Sequence, residues 1–136
     1  MLNKRIIFSL LYSKGYFYLS RNFSLQKVGD INWLEKNYSF NETCQYIDEL
    51  VFILVTKDPE IKEINDFFKS VDKIRKKIFA PIMIGGAIRN LNNVKDCFEN
   101  GADKIIINTE SKNSKLLDQI SEIYGSQATS IMIDYK

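Results

Sequence analysis

The chain has 136 residues, 45% of them hydrophobic and 26% charged, with 19 Lys+Arg against 17 Asp+Glu for a formal net charge of +2 and no histidine. That is enough apolar material for one packed domain, or for a piece of a larger one, while so small a charge excess gives no electrostatic footprint for nucleic acid. The absence of histidine removes Ser-His and Cys-His nucleophile pairs, imidazole acid–base catalysis and every His-bearing metal site, and leaves proton transfer to Asp, Glu, Lys, Tyr or Cys.

In chain order, the first predicted element is a strand over Arg5–Leu11 (RIIFSLL). The aromatic segment Ser13–Leu25 follows, read as a small hairpin or an active-site loop. Gly29-Asp30 opens a helix over Asp30–Tyr38. Leu50–Thr56 (LVFILVT) is a second strand. Ile61–Ile78 places Ile61, Ile64, Phe67, Phe68, Val71, Ile74 and Ile78 on one helical stripe, with Asp66–Lys69 and Asp72–Lys76 at the spacing of helical charge pairs. Pro81–Gly86 (PIMIGG) is the third strand, Leu91–Asn100 a helix stopped by Gly101, and Lys104–Asn108 (KIIIN) the fourth strand. Asn113–Tyr124 is a helix with Leu116, Leu117, Ile120 and Ile123 as its stripe, capped by Asn113 or Ser114 and ended by Gly125. Ser130–Tyr135 (SIMIDY) is the fifth strand.

The five strand runs are continuous and β-branched rather than alternating, as suits strands buried on both faces of a parallel sheet. From the second strand onward they start 31, 23 and 26 residues apart, the size of single βα units. Two architectures fit: an open flavodoxin-like sheet, or part of a (β/α)8 barrel, which needs about 250 residues. No helix follows the fifth strand, an ending that points to truncation. Cys44 and Cys97, 53 residues apart, have no metal spacing; both are expected to be reduced thiols in a cytoplasmic protein. No cofactor is expected. Met1–Ser9 is short and broken by Lys4 and Arg5, so no signal peptide is expected, and no apolar run reaches the roughly 20 residues of a membrane span.

Several motifs occur in order with family-like spacing: MLNKRII from Met1, Val28-Gly29-Asp30, Asp48-Glu49-Leu50-Val51-Phe52, PIMIGGAIR over Pro81–Arg89, Gly101-Ala102-Asp103-Lys104 with Ile107-Asn108-Thr109, and Gly125-Ser126-Gln127 to Ile133-Asp134. This ordered set resembles the cyclase subunit (HisF) of imidazole-glycerol-phosphate synthase, the histidine-pathway barrel that receives ammonia from a glutaminase. The resemblance implies a (β/α)8 TIM barrel. Residues 1–136 would hold its N-terminal half as one incomplete domain, βα units 1–4 plus strand 5. Four units cannot close a sheet, so an apolar edge would stay exposed. The missing half-barrel would be absent from the sequence, lost by a frameshift, or supplied by a second chain.

The resemblance also implies roles. The family pairs an Asp at the end of strand one with an Asp at the end of strand five as acid and base. Asp134 matches the second and is the expected catalytic residue, whereas the first position is Leu11. A family Lys beyond strand one aligns with Leu19, for which Lys14 or Arg21 would be stand-ins, and an Asp late in strand two aligns with Leu54. All three leucines are expected to face one mouth, and Glu110 is the other carboxylate expected near it. Gly85, Gly86 and Ala87 (the family has a third glycine at Ala87), with Asn108 and Thr109, are expected to bind phosphate. Read by spacing alone, Gly85-Gly86 is equally a tight strand-to-loop turn. At the opposite end, Arg5, Glu49 and Lys104 match a charged ammonia gate, and Asp103 and Gln127 match positions that meet the glutaminase. Without the family, those three charges would be ordinary strand-start residues.

Leu10-Leu11 and Gln26–Asp30 are similar to a branch of the family found with surface-polysaccharide genes, where the barrel is thought to relay ammonia to a sugar-amidating enzyme. Trp33, Phe67, Phe68 and Phe98 are expected in the core. Tyr12, Tyr16, Phe17 and Tyr18 are expected to pack rather than stack on a ligand, and Lys73–Lys77 (KIRKK) reads as a solvated helix end. Three functions follow. One is an ammonia-accepting barrel subunit with a phosphorylated ligand and a weakened or lost lyase step. The second is a working cyclase of histidine biosynthesis. The third is a non-catalytic half-barrel that binds a partner.

Overall fold

Each expected apolar run becomes a strand, and the strands lie side by side in the order in which the chain makes them. In the computed structural model, which describes residues 3–135 apart from the side chains of Asn41 and Cys44, seven strands form one sheet. They are β1 (Ile7–Ser13), β2 (Tyr16–Arg21), β3 (Ser24–Gly29), β4 (Glu49–Leu54), β5 (Ile82–Gly85), β6 (Lys104–Ile107) and β7 (Thr129–Ile131). The helices are α1 (Ile31–Tyr38), the short α2 (Phe40–Thr43), α3 (Ile61–Arg75), α4 (Leu91–Glu99) and α5 (Ser114–Tyr124). The sheet order is β3-β2-β1-β4-β5-β6-β7; β1, β4, β5, β6 and β7 run parallel. A flavodoxin-like sheet would place its second parallel strand outside the first and carry helices on both faces. Here the parallel strands are in sequential order, and α1, α3, α4 and α5 pack through one core on one face. The architecture is half of a (β/α)8 barrel.

Strand parity explains the two faces. Leu10 and Tyr12, Leu50, Phe52 and Leu54, Ile82 and Ile84, and Ile105 and Ile107 point toward the helices and join Leu34, Phe67, Val71, Ile74, Val94, Leu116 and Ile120. Each such aliphatic side chain contributes about 1.5–3 kcal/mol when fully buried. The alternate residues form a smaller inner cluster of Val51, Met83 and Ile106, with Ile53 and Met132 against it. That inner strip is the wall of the half-barrel.

The segment after β1 is a three-stranded antiparallel extension. Lys14-Gly15 and Asn22-Phe23 are two-residue turns with φ of +47°, +85°, +51° and +60°, the left-handed pair that matches strand twist in a tight hairpin. The hairpin alternative for Ser13–Leu25 is therefore the one realised, and the strand pairing extends to Gly29. Tyr12 and Phe17 are buried edge-to-face at 5.4 Å, and Lys27 sits 3.1 Å over the Tyr16 ring.

Some expectations need correction. The fifth strand ends at Ile131, short of Tyr135, and α3 ends at Arg75, although Ile78 beyond it is still buried. Ile61, the first residue of α3, and Ile123, next to the last residue of α5, are exposed, where a helix end has fewer neighbours to cover it. Trp33 is also partly exposed, its ring resting on Tyr38 rather than in the core. The KIRKK end is ion-paired at the surface: Lys73 and Lys77 to Glu35, Arg75 and Lys76 to Asp72. Cys97 is a buried free thiol; the side chain of Cys44 lies outside the described residues.

Candidate active site and strand-start ion cluster

The C-terminal ends of the parallel strands surround a cleft of about 510 Å³. β1 contributes Leu11, β4 and its exit Ile53, Thr56 and Lys57, and the β5–α4 loop Gly86, Ala87 and Arg89. Asn108 and Thr109 enter after β6, and Met132 and Asp134 after β7. Loops at this end of such a sheet diverge and leave room for a ligand, which is why barrel sites form here.

Local chemistry fixes the loop after β5. Gly86 has φ +89°, and a Cβ there would stand 1.9 Å from the Leu54 carbonyl oxygen, so the turn admits only glycine. Ala87 continues in the left-handed region at φ +55°, where a side chain costs about 1–2 kcal/mol. Gly85 lets β5 pack on Ile106, since its Cβ would fall 2.9 Å from the Ile106 Cβ. Asn90 then starts α4 by accepting a hydrogen bond from the Asn93 amide at 3.0 Å. Two consecutive positive-φ residues thus bring bare backbone to the cleft wall, facing a lining that includes Asn108 and Thr109.

Asn108 donates a 2.8 Å hydrogen bond from Nδ2 to the Asp134 carboxylate. Leu11 stands inward at the C-terminal end of β1, paired with Ile53 in the sheet. Leu11 and Asp134 line the same cleft.

The remaining expected residues separate. Leu54 has cleft-lining backbone, but strand parity sends its side chain into the helix-side core, so it does not face the mouth as expected. Leu19 and Arg21 on β2, and Lys14 in the turn before it, are exposed and outside the cleft lining; the Lys14 amide instead donates to Glu63 at 2.8 Å. Glu110 accepts from Asn113 at 3.2 Å and is absent from the lining. The cations that do line the cleft are Lys57 and Arg89, which the sequence reading did not single out although Arg89 closes the PIMIGGAIR motif. Phe23 and Leu25, from the β2–β3 hairpin, also line it.

At the opposite end, Arg5, Glu49 and Lys104 come together. Glu49 is only 3% exposed, the one buried charged residue among those described. Its Oε1 accepts from Arg5 and lies 3.5 Å from Lys104 Nζ. A buried carboxylate is stable only when paired, and two cations at the rim provide that pairing. All three line a second depression that continues up the inner strip through Val51, Met83 and Ile106 to Met132. Asp103, nearby, accepts from the Ile82 amide at 2.8 Å and so anchors the start of β5; Gln127 is exposed just before β7.

Two thiol and hydroxyl groups are withdrawn from chemistry. Burial pushes the Cys97 thiol up to about 12, with Asp96 adding to the effect, and burial likewise raises Tyr12, against hydrogen bonding from Ser70. Among the described residues, no group of three or more acidic or thiol side chains is arranged to hold a metal ion, and no helix is long and apolar enough to cross a membrane.

A singly wound βα sheet with a ligand-sized cleft at its strand C-termini defines a barrel-type protein of the kind that binds small molecules at that mouth. Residues 26–136 match the family described as histidine biosynthesis protein, and the chain belongs to that family. It is HisF-like within it. It is 43% identical over 137 residues to an imidazole glycerol phosphate synthase subunit hisF2 of Parasynechococcus marenigrum, covering all of this chain and 50% of that protein. It is 38% identical over 138 residues to the imidazole glycerol phosphate synthase subunit HisF of Methanococcus vannielii, and 36% identical over 138 residues to that of Chlorobium phaeobacteroides, covering all of this chain and 48% and 53% of those proteins. The chain spans about half the length of the curated relatives it matches.

Proposed function

We propose that this chain is the N-terminal half of a HisF-like barrel subunit in a glutamine amidotransferase system. It accepts ammonia from a HisH-like glutaminase at the strand-start end and binds a phosphorylated small molecule at the cleft. Its cyclase step is weak or lost, because Leu11 cannot move a proton. One observation carries the reading: the same half-barrel has a buried carboxylate paired by two cations at one end, a glycine turn with amide and cationic donors at the other, and an apolar strip between them.

The physical argument runs along that strip. Ammonia is small and uncharged, so an apolar passage admits it while excluding ions, and the paired cluster of Arg5, Glu49 and Lys104 closes the entrance to water-borne charge. At the cleft, the backbone of Gly86-Ala87 with Asn108, Thr109, Lys57 and Arg89 offers donors and positive charge to a phosphate. Asp134, oriented by Asn108, remains as a lone acid–base group. Asp103 and Gln127, on the strand-start side, belong to the surface that would meet the glutaminase. The reading sets the protein in the cytoplasm, and the surface-polysaccharide branch is the setting in which an ammonia relay without ring closure is useful.

The test is turnover. Full-length protein supplied with ammonia is expected to convert the histidine-pathway ribonucleotide at least ~100-fold more slowly than a family cyclase, the usual contribution of one general acid or base; Leu11→Asp is expected to recover part of that loss. Wild-type turnover at the rate of a family cyclase refutes the reading and leaves a working cyclase based on Asp134. If the glutaminase's glutamine hydrolysis does not rise on adding the protein, the ammonia-accepting role fails and a non-catalytic binding half-barrel stands.

A further inference from the structure

We infer that Glu63 is a positioning residue for the cleft. It stands on α3, outside the lining, and its carboxylate latches the β1–β2 turn and the exit of β4 into one arrangement, from which the β2–β3 hairpin and Lys57 reach the cleft. The effect on ligand affinity rests on the phosphate reading of that cleft; the latch itself stands without it.

Three hydrogen bonds make the latch. Glu63 Oε1 accepts from the Lys14 amide at 2.8 Å and from the Thr56 hydroxyl, and the Ser13 and Thr56 hydroxyl oxygens lie 2.7 Å apart. A carboxylate only accepts, so the single Thr56 proton goes to Glu63, and Ser13 donates to Thr56. The bonds run one way, from Ser13 to Thr56 to Glu63, and Lys14 meets the same carboxylate oxygen. Ser13 is the last residue of β1, Thr56 follows β4 by two residues, and Glu63 is in the first turn of α3. Ser13, Thr56 and Glu63 are each half-buried. The β1–β4 ladder continues to the Val55 amide, which donates to the Tyr12 carbonyl at 2.9 Å. Beyond that bond the side-chain relay joins the two chain directions.

The hairpin is held at this point. β2 pairs with β1 at Leu11–Tyr18, Tyr12–Phe17 and Ser13–Tyr16, and Leu19 to Lys27 are all exposed. Ser20, Phe23 and Leu25 line the cleft, so they are carried on a ribbon whose direction is set at its base. Lys14-Gly15 is the turn at that base, and Glu63 holds its backbone. On the other side of the latch, Thr56 and Lys57 line the cleft directly. Releasing Glu63 would let both segments open locally while the parallel strands stay paired.

Glu63 also places a negative charge in the first turn of α3, where the helix dipole favours it. The two roles predict opposite variants. Glu63→Asp keeps the charge but shortens the reach by one methylene. Glu63→Gln loses the charge but keeps the reach and the accepting oxygen.

The test is amide hydrogen exchange in the full chain, read at β2 against β5 and β6, with calorimetric titration by inorganic phosphate. Glu63→Asp is expected to speed β2 exchange about tenfold, the loss of one hydrogen bond to a charged group, and to leave β5 and β6 unchanged. It is expected to weaken phosphate about threefold, the cost of ordering a loosened segment on binding. Glu63→Gln is expected to stay within about twofold of the wild type in both measurements. A β2 exchange unmoved by Glu63→Asp, or moved as much by Glu63→Gln, overturns the inference, because reach is then not what matters. Equal acceleration in β5 and β6 overturns it as well, since that is general destabilisation. Wild-type phosphate binding that Glu63→Asp leaves unchanged removes the link to the cleft and overturns it too. Absence of phosphate binding by the wild type overturns the phosphate reading alone, and the order of the two variants in β2 exchange then decides the latch.

Discussion

Glu49 makes an asymmetric prediction about stability. Its carboxylate is 3% exposed and held by Arg5 and, at 3.5 Å, by Lys104, whose side chains are 55% and 33% exposed. Removing the cation strands a buried charge, which ordinarily costs about 3–5 kcal/mol. Because Lys104 remains as a weaker partner, Arg5→Met should cost about 2–3 kcal/mol on that scale. Removing the anion instead leaves two cations that water can reach, so Glu49→Gln should cost only about 1 kcal/mol. With a urea m-value of about 2 kcal/mol/M, the two unfolding midpoints should differ by about 0.5–1 M. Urea titration followed by circular dichroism reads this directly. A Glu49→Gln loss equal to or larger than that of Arg5→Met would show that the carboxylate is not the buried member of the cluster, and the proposal that the cluster gates ammonia would lose its geometric support.

The loop after β5 gives a pair of opposite effects: Ala87→Gly should stabilise by about 0.5–1 kcal/mol by relieving the left-handed strain, whereas Gly86→Ala should prevent normal folding, because its Cβ would meet the Leu54 carbonyl oxygen at 1.9 Å; thermal unfolding measures both. Cys97, with its thiol near 12, should stay unlabelled by a thiol reagent at pH 8 in folded Cys44→Ser protein and react once urea unfolds the chain. Glu35 is held below its ordinary range first by hydrogen bonding from Lys77 and then by Lys73. A carboxylate depressed in the folded state stabilises it above its unfolded pKa, so the wild type should exceed Glu35→Gln by about 0.5 kcal/mol at pH 7, and the difference should vanish as pH falls below about 4.

Much of the barrel half was legible because its strands are continuous apolar runs of fixed parity, and a strand buried on both faces has no other way to be written. The helix stripes were legible at their centres and misread at Ile61 and Ile123, which lie at or beside helix ends and are exposed. Leu54 was misread for a related reason: an alignment column gives a position in a strand, and only register with Val51 and Ile53 shows that its side chain turns outward. β2 and β3 were recognised only as a hairpin or a loop, because polar edge residues such as Ser20, Arg21 and Gln26 carry no burial pattern. No periodicity brings residues 5, 49 and 104 together, so their grouping was visible only through the resemblance. The cations Lys57 and Arg89 sit in loops whose direction is set by the turn at Gly86 and the exit of β4. Phe23 depends on a left-handed backbone at a bulky residue, for which the sequence offers no signal beyond the preceding Asn22.

The central claim is that the cleft at the strand C-termini binds phosphate through the β5–α4 turn and the end of β6. Amide chemical shifts in a uniformly ¹⁵N-labelled chain, titrated with inorganic phosphate, test it most directly. The account predicts saturable shifts concentrated at Gly86, Ala87, Asn108 and Thr109; shifts that are absent there, or that gather on the Lys73–Lys77 helix end instead, would contradict it.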